Sequence, residues 1–457
     1  MWVYRLLQRL LRLVSRVFFR QVEVVGRENV PPEGGGPVIF AGNHPNSLID
    51  PVLIITSCGR IVHFAAKDVL FQSRLLGAVM RGLGAVPIKR RHDHDGASPE
   101  PAAGPPSAEP VSNDDAFSAL TQVLRQGRAM GIFPEGLSHD ASQLVQLKTG
   151  AARIALGAAA AGVPVKVVPV GITYIRRRRF RSRVLVQFGE PLNVEASGQT
   201  REGARALTAE IDAGMRALTI NAGDWDTLRV LDGVRRLYQP QGISTHDRVE
   251  LARRFAVHYP TVREQPEVAQ LFQRVSAYLE RLDEAGLSDA DLLRGASPVG
   301  AIPRLVRHLA LALIWLPLAL PGLLVHAPVG LLAIFAGRVL TPRKDVIATT
   351  KLVAGIFGVL LMYVTMVVLA GVAYGGYGAA AMGAFLPLTA FATLKVFDRA
   401  TAVRRWGSTL LRLWGRDDIA ELRAERAQLE EAVVRAVDRF KPKDLVALFP
   451  RTPAEPA

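Results

Sequence analysis

"FAGNHPNSLIDPVLI", residues 40–54, is the stretch on which the reading of this chain turns. An apolar run ends, Asn43 and His44 follow at once, and Asp50 arrives just before a proline. The residue ahead of a proline avoids the α region, proline suits a helix's first position, and aspartate suits its N-cap. Residues 37–42 therefore read as a strand, and Asp50 as the start of a helix over "PVLIITSC" that Gly59 ends. His44 lies across a short loop from that aspartate. As structure alone this is a capped turn. As chemistry it is a base with its carboxylate: neutral imidazole takes a proton from an alcohol, and a nearby acid fixes its tautomer and stabilises the imidazolium.

Working outward, apolar runs alternate with helical patterns. The strand-like runs are "VEVVG" (22–26), "PVIFAG" (37–42), "VHFAAK" (62–67), "AVPIKR" (85–90), "AMGIFPEG" (129–136), "VKVVPVGITY" (165–174) and "RVLVQFGEPL" (183–192). Helical stretches fall near 70–82, 114–127 and 147–161. This alternation predicts an α/β domain, a mixed and largely parallel sheet flanked by helices, with its site on loops at strand ends. Residues 92–113, rich in Pro, Ala, Gly and Ser, read as a disordered insertion, and the two histidines of "HDHD" at its start as solvated.

The chain of 457 residues has a formal charge of +15 and is 49% hydrophobic, a combination that favours an anionic membrane surface over nucleic acid. The single cysteine excludes an internal disulfide and any cysteine-based zinc cluster. Residues 1–20, "MWVYRLLQRLLRLVSRVFFR", place Arg5, Arg9, Arg12, Arg16 and Arg20 on one face of a helix and Trp2, Leu6, Leu10, Leu13 and Val17 on another. The expectation is a basic amphipathic helix at the lipid interface rather than a cleaved leader. Residues 216–300 read as an accessory helical region. Residues 301–397 read as a membrane region, because 309–337 and 352–394 carry no Asp, Glu, Lys or Arg. The second of these holds two spans divided near "YGGYGAAAMG". The first, broken by Pro317, Pro321 and Pro328 and basic at both ends, reads as a re-entrant hairpin with both ends in the cytosol. Residues 398–457 form a charged helical tail.

Three further motifs sit in the domain spanning 21–215. "GAVPIKRR" delivers Lys89 and Arg90 at a strand end, suited to clamping a phosphate. "GIFPEGLSH" places Glu135 to accept hydroxyl hydrogens and Gly136 to allow close approach. Ser138, His139 and Asp140 are consecutive, but no G-x-S-x-G elbow surrounds the serine, so a serine hydrolase is rejected. "VVPVGITY" holds Pro169, which limits strand pairing. The basic run "RRRRFRSR" (176–183) follows, with no aromatic-lined nucleic-acid motif beside it.

The order NH…D, G-x-x-x-I-x-R, FPEG-x-S and a V-P-V strand resembles the glycerolipid acyltransferases, the family of bacterial 1-acylglycerol-3-phosphate and glycerol-3-phosphate acyltransferases. The resemblance covers roughly residues 20–215. It implies His44 as general base and Asp50 as its partner; Lys89 and Arg90 on the acceptor phosphate; Glu135, Gly136 and Ser138, with Asn43, shaping the acceptor site; and Pro169 bordering the acyl donor. Five residues separate His44 from Asp50 where the family has four, as in a subgroup that includes fungal glycerol-3-phosphate/dihydroxyacetone-phosphate acyltransferases. "FPEGLSH" lacks the family's arginine after FPEG, which shifts acceptor charge recognition toward Lys89, Arg90 or Lys148. The implied reaction moves a fatty acyl group from acyl-CoA or acyl-carrier protein, as co-substrate, to a glycerol hydroxyl. It needs no metal or other cofactor and takes place at the cytoplasmic face of a membrane. The alternatives are a non-enzymatic lipid-binding protein on the same scaffold and an acyl thioesterase.

Overall fold

The computed structural model describes residues 2–88, 114–195, 200–240, 242–294, 298–341, 343–413, 418–442 and 449. Lys89, Arg90 and the 92–113 insertion lie outside the described residues. Two compact units divide the chain, Met1–Asn221 and Ala222–Ala457.

In the first unit, all seven apolar runs become strands of one sheet. They are β1 (Phe19–Val25), β2 (Val38–Gly42), β3 (Val62–Lys67), β4 (Val86–Ile88), β5 (Ala129–Ile132), β6 (Lys166–Tyr174) and β7 (Ser182–Phe188), with a short β8 (Leu192–Asn193). The order is β1-β7-β6-β2-β5-β3-β4, with β8 on β6. Every pairing is parallel except those of β6 with β7 and β8. All five residues of β2 are buried, as an uninterrupted apolar run at the centre of a parallel sheet requires. Its neighbours are in register at Val38↔Ala129 and Val38↔Lys166, so β2 and β5 end together and their following loops meet, while β6 runs on past them to Tyr174.

The helices are α1 (Trp2–Phe18), α2 (Ile49–Ser57), α3 (Arg74–Gly82), α4 (Asp114–Arg125), α5 (Gly150–Ala160) and α6 (Arg201–Arg216). Side chains alternate across β2. Ile39 and Ala41 join Leu120, Leu124, Ala155, Ile211 and Met215 in the core beneath α4, α5 and α6.

Pro169 limits the pairing of β6, as the sequence suggests, from within the sheet. It sits inside the sheet, opposite Ala41 of β2, rather than on an edge. Proline is tolerated there because β6 changes partner around it: β8 pairs up to Val167, β7 starts at Val170, and only the Pro169 carbonyl is used between them, accepting from Gly189 N at 2.8 Å. Its ring packs toward Gly214 of α6, where an added Cβ would come within 2.7 Å. Pro169 is therefore a core residue of the sheet.

The N-terminal helix has three faces where the sequence suggested two. Tyr4, Gln8, Ser15 and Phe18 pack on the domain. The Tyr4 hydroxyl donates to Val62 O at 3.1 Å and accepts from Val62 N at 2.8 Å. It thereby satisfies the backbone of β3 ahead of the point where β4 begins to pair. Arg181, held at φ 59, donates from Nη1 to the carbonyls of Arg16 and Phe19 and closes the C-terminus of α1. Trp2, Leu6, Leu10, Leu13 and Val17 face outward, beside exposed Arg5, Arg9 and Arg16. Arg20 belongs to β1 and not to the helix.

In the second unit, α7 (Trp225–Tyr238), α8 (Thr245–Val262), α9 (Pro266–Glu284), α10 (Asp289–Arg294) and α13 (Ile419–Phe440) share a core that includes Val275, Tyr278, Leu279, Leu429 and Val433. The charged tail helix is thus a packed member of the accessory bundle, and Arg426 ties it to Asp289 at 2.9 Å.

The remaining helices are α11 (Pro298–Val339) and α12 (Ile347–Leu413). Two stretches, Ile302–Val339 and Ile347–Thr409, are long and apolar enough to cross a membrane. Leu324, Leu331, Phe357 and Val372 face outward, unlike the side chains of a soluble core. The division expected in the second stretch falls at Gly375, whose φ of 69 and ψ of −166 only glycine adopts readily. The chain reverses there, since the Tyr363 hydroxyl donates to Leu386 O at 3.2 Å.

The first stretch contradicts the re-entrant reading. It is one continuous helix despite four internal prolines. Prolines are tolerated in apolar helices where neighbouring groups satisfy the freed carbonyls.

Gly131 of β5 gives a packing prediction. An added Cβ would lie 2.2 Å from the Phe64 ring, which stacks on Phe133 with centroids 5.6 Å apart. Gly131→Ala is expected to destabilise the first unit by about 1–3 kcal/mol, read as a lowered melting temperature of the purified chain.

Candidate active site

The loop after β2 carries His44, and α2 carries Asp50. The two meet: His44 Nδ1 lies 2.9 Å from Asp50 Oδ2, with the aspartate side chain 0% exposed and the histidine side chain 14%. The extra residue between them is absorbed by a tight turn in which Ser47 takes a positive φ of 46, Ile49 N donates to Asn46 O, and Asp50 N donates to Ser47 O. Asp50 is not the helix cap that the sequence suggested. It sits inside the first turn of α2, which starts at Ile49, and its carboxylate turns back to accept Asn46 N at 2.7 Å.

With Nδ1–H donating to the carboxylate, Nε2 carries the lone pair. Among the described residues Nε2 makes no hydrogen bond. The ring stacks on Phe133, centroids 4.0 Å apart and planes 7° from parallel, which holds its plane.

Several residues expected to touch substrate instead brace this pair. The Asn43 amide accepts from Ile172 N at 2.7 Å and donates to Ile172 O at 3.1 Å, so it continues the β2–β6 ladder past the strand's end. Glu135 is buried; its Oε1 accepts His44 N at 2.7 Å, and its Oε2 takes His139 Nε2 and Val145 N. These bonds tie the FPEG loop to the His44 loop. His139 N donates to His44 O at 3.2 Å and completes the same tie. Ser138 is buried in that loop. Gly136 has φ 82, and the Lys148 side chain crosses directly over it, where a Cβ would meet Cε and Nζ at 2.7 Å. Lys148 is exposed, and among the described residues no carboxylate pairs with it. It is the one basic residue of the expected acceptor set that lies among the described residues beside the FPEG loop.

Sequence reasoning missed Tyr174, the last residue of β6. Its hydroxyl donates to Asp50 Oδ1 at 2.6 Å. Burial, then the Asp50 charge, drive its proton affinity well above that of an ordinary tyrosine, so it remains a donor. The signal available was the alternation of β6, which puts Val170, Ile172 and Tyr174 on one face. Arg177 and Arg178, in the basic run after β6, both pair with Asp140, at 2.5 Å and 2.6 Å. Cys58 is buried, and its thiol is pushed up to about 11 by desolvation, which makes it inert.

A buried carboxylate behind an imidazole with one open nitrogen, at the end of a central strand, is the arrangement of a general base. Residues 21–173 match the family model described as Acyltransferase. The resemblance read from the motifs over residues 20–215 is thus borne out, and residues 230–445 match a second model, described as Glycerol-3-phosphate acyltransferase 2 C-terminal domain.

Glycerol-3-phosphate O-acyltransferase 2 of Saccharomyces cerevisiae is 26% identical over 490 residues, 80% of this chain and 65% of that protein. The chain thus spans less than two thirds of that relative's length. The chloroplastic 1-acyl-sn-glycerol-3-phosphate acyltransferase LPAT1 of Arabidopsis thaliana is 26% identical over 153 residues, 34% of this chain and 37% of that one. The crystal structure of the 1-acyl-sn-glycerophosphate acyltransferase PlsC from Thermotoga maritima covers 47% of this chain and 78% of its own at 22% identity. Its TM-score of 0.35 adds nothing to the fold described above.

Proposed function

We propose that this chain transfers a fatty acyl group from acyl-CoA or acyl-carrier protein to a hydroxyl of glycerol-3-phosphate or 1-acylglycerol-3-phosphate, in phospholipid synthesis. The observation that carries the reading is the His44–Asp50 pair with Nε2 open. The acceptor O–H proton passes to Nε2 as the oxygen attacks the thioester carbonyl carbon. The C–S bond then breaks, and the thiolate leaves with the proton that His44 returns. The imidazolium formed between these steps is stabilised by Asp50. No covalent enzyme intermediate and no cofactor is invoked. The names of the relatives support both acceptors.

Lys148, above Gly136, is positioned to take the acceptor's phosphate. The membrane reading has a mechanistic use: the product carries acyl chains, and holding the site at the interface avoids drawing them into water at about 0.8 kcal/mol per CH₂. The exposed apolar stripe of α1 beside its arginines suits the anionic cytoplasmic leaflet, and we place the first unit there.

The test supplies membranes holding the full chain with palmitoyl-CoA and each acceptor in turn, with products resolved by mass. Acylated glycerol phosphate is expected; release of free fatty acid alone would overturn the reading. Lys148→Ala is expected to raise the KM for the phosphate-bearing acceptor about tenfold or more with kcat changed far less, since it removes binding common to ground and transition states.

A further inference from the structure

We infer that Tyr174 is a positioning residue of this reaction, its phenol holding one oxygen of Asp50 so that the other is fixed on His44. The inference rests on the acyl-transfer reading above. Asp50 is fully buried, and its sole ion-pair partner among the described residues is His44, which is charged only part of the time during turnover. A carboxylate in that setting remains an anion only if hydrogen bonds replace the water it has lost. Three donors do so. Asn46 N and His44 Nδ1 both meet Oδ2, at 2.7 Å and 2.9 Å, and Tyr174 alone meets Oδ1, at 2.6 Å.

The geometry also fixes direction. With Oδ1 held from β6 and Oδ2 held from the β2 loop, the carboxylate plane cannot turn about its bond to Cβ. The phenol is itself carried on a rigid element: Tyr174 pairs with Val184 of β7, and its ring lies 5.9 Å from that of Phe19. Asn43 grips both backbone groups of Ile172, two residues before Tyr174, so imidazole and phenol are referenced to the same two strands. Asp50 consequently enters each turnover as an aimed anion, ready for the imidazolium, with nothing left to reorganise. The other charged and titratable groups around the pair are Glu135, His139, Asp140 and Arg177; they fasten the loops to one another, and none is hydrogen-bonded to Asp50.

The test measures kcat and KM for the full chain in anionic vesicles, comparing wild type, Tyr174→Phe, Asp50→Asn, the double variant and His44→Ala. Rates are taken at a temperature where each melting curve shows the variant folded. Tyr174→Phe is expected to lower kcat by about 10- to 100-fold, the loss of one hydrogen bond to a charged group, with KM for both substrates within about threefold. In the Asp50→Asn background the same change is expected to cost no more than about twofold, because a group acting through the carboxylate has nothing left to act on. Multiplicative losses in the double variant, an effect confined to KM, or no loss from Tyr174→Phe would each overturn the inference while leaving the function intact. Wild-type transfer by His44→Ala would overturn the acyl-transfer reading itself, and this inference with it.

Discussion

Replacing His44 by alanine is expected to lower acyl transfer by about 10²- to 10⁴-fold, the usual range for losing a general base. The fold should survive. The imidazole contributes one hydrogen bond and one stacked contact, both at the mouth of the site. Without it, Asp50 still accepts from Asn46 N and Tyr174 Oη, so no buried carboxylate oxygen is orphaned. The substitution therefore separates chemistry from stability: product formation in membranes should collapse while the melting curve shifts by no more than about 1–2 kcal/mol's worth.

Asp50→Asn is expected to cost about 10²-fold or more in kcat, for a different reason. The amide oxygen can keep the contacts made by Oδ2, with Asn46 N and His44 Nδ1, and the new NH₂ can face the Tyr174 hydroxyl, which rotates to accept. The hydrogen-bond pattern is thus conserved while the negative charge is lost. What disappears is the stabilisation of an imidazolium in a site where Asp50 is its sole counter-ion among the described residues. Substrate binding should change little, so the loss appears in kcat and in kcat/KM alike. If KM rose and kcat held, Asp50 would be shaping a pocket rather than balancing charge.

These two residues were legible because their neighbourhood constrains them. An apolar run that ends in Asn-His, followed by an Asp-Pro pair, leaves few geometries, and the sheet around it was legible for the same reason: each run is bounded by turn residues and is too apolar to lie outside a core. The roles of Asn43 and Glu135 were not legible. A polar side chain at a strand end looks the same in sequence whether it meets a ligand or braces a loop, and only the β2–β6 register shows that Asn43 reaches Ile172. Tyr174 was missed because it lies 124 residues from the carboxylate it holds, a contact made by topology alone. The continuous α11 was misread because its prolines were weighed as breaks, whereas an apolar helix packed on a neighbour tolerates them.

The central claim is that the imidazole takes a proton from the acceptor and never takes the acyl group. A single turnover, quenched and resolved by mass for both intact protein and lipid, tests it most directly. The full chain in vesicles would be mixed with palmitoyl-CoA, first alone and then with glycerol-3-phosphate or 1-acylglycerol-3-phosphate. The account predicts an unmodified protein mass throughout, acylated product only when the acceptor is present, and no product on this timescale from His44→Ala. A palmitoyl adduct on the protein before acceptor is added, or product formed by His44→Ala at the wild-type rate, would contradict it.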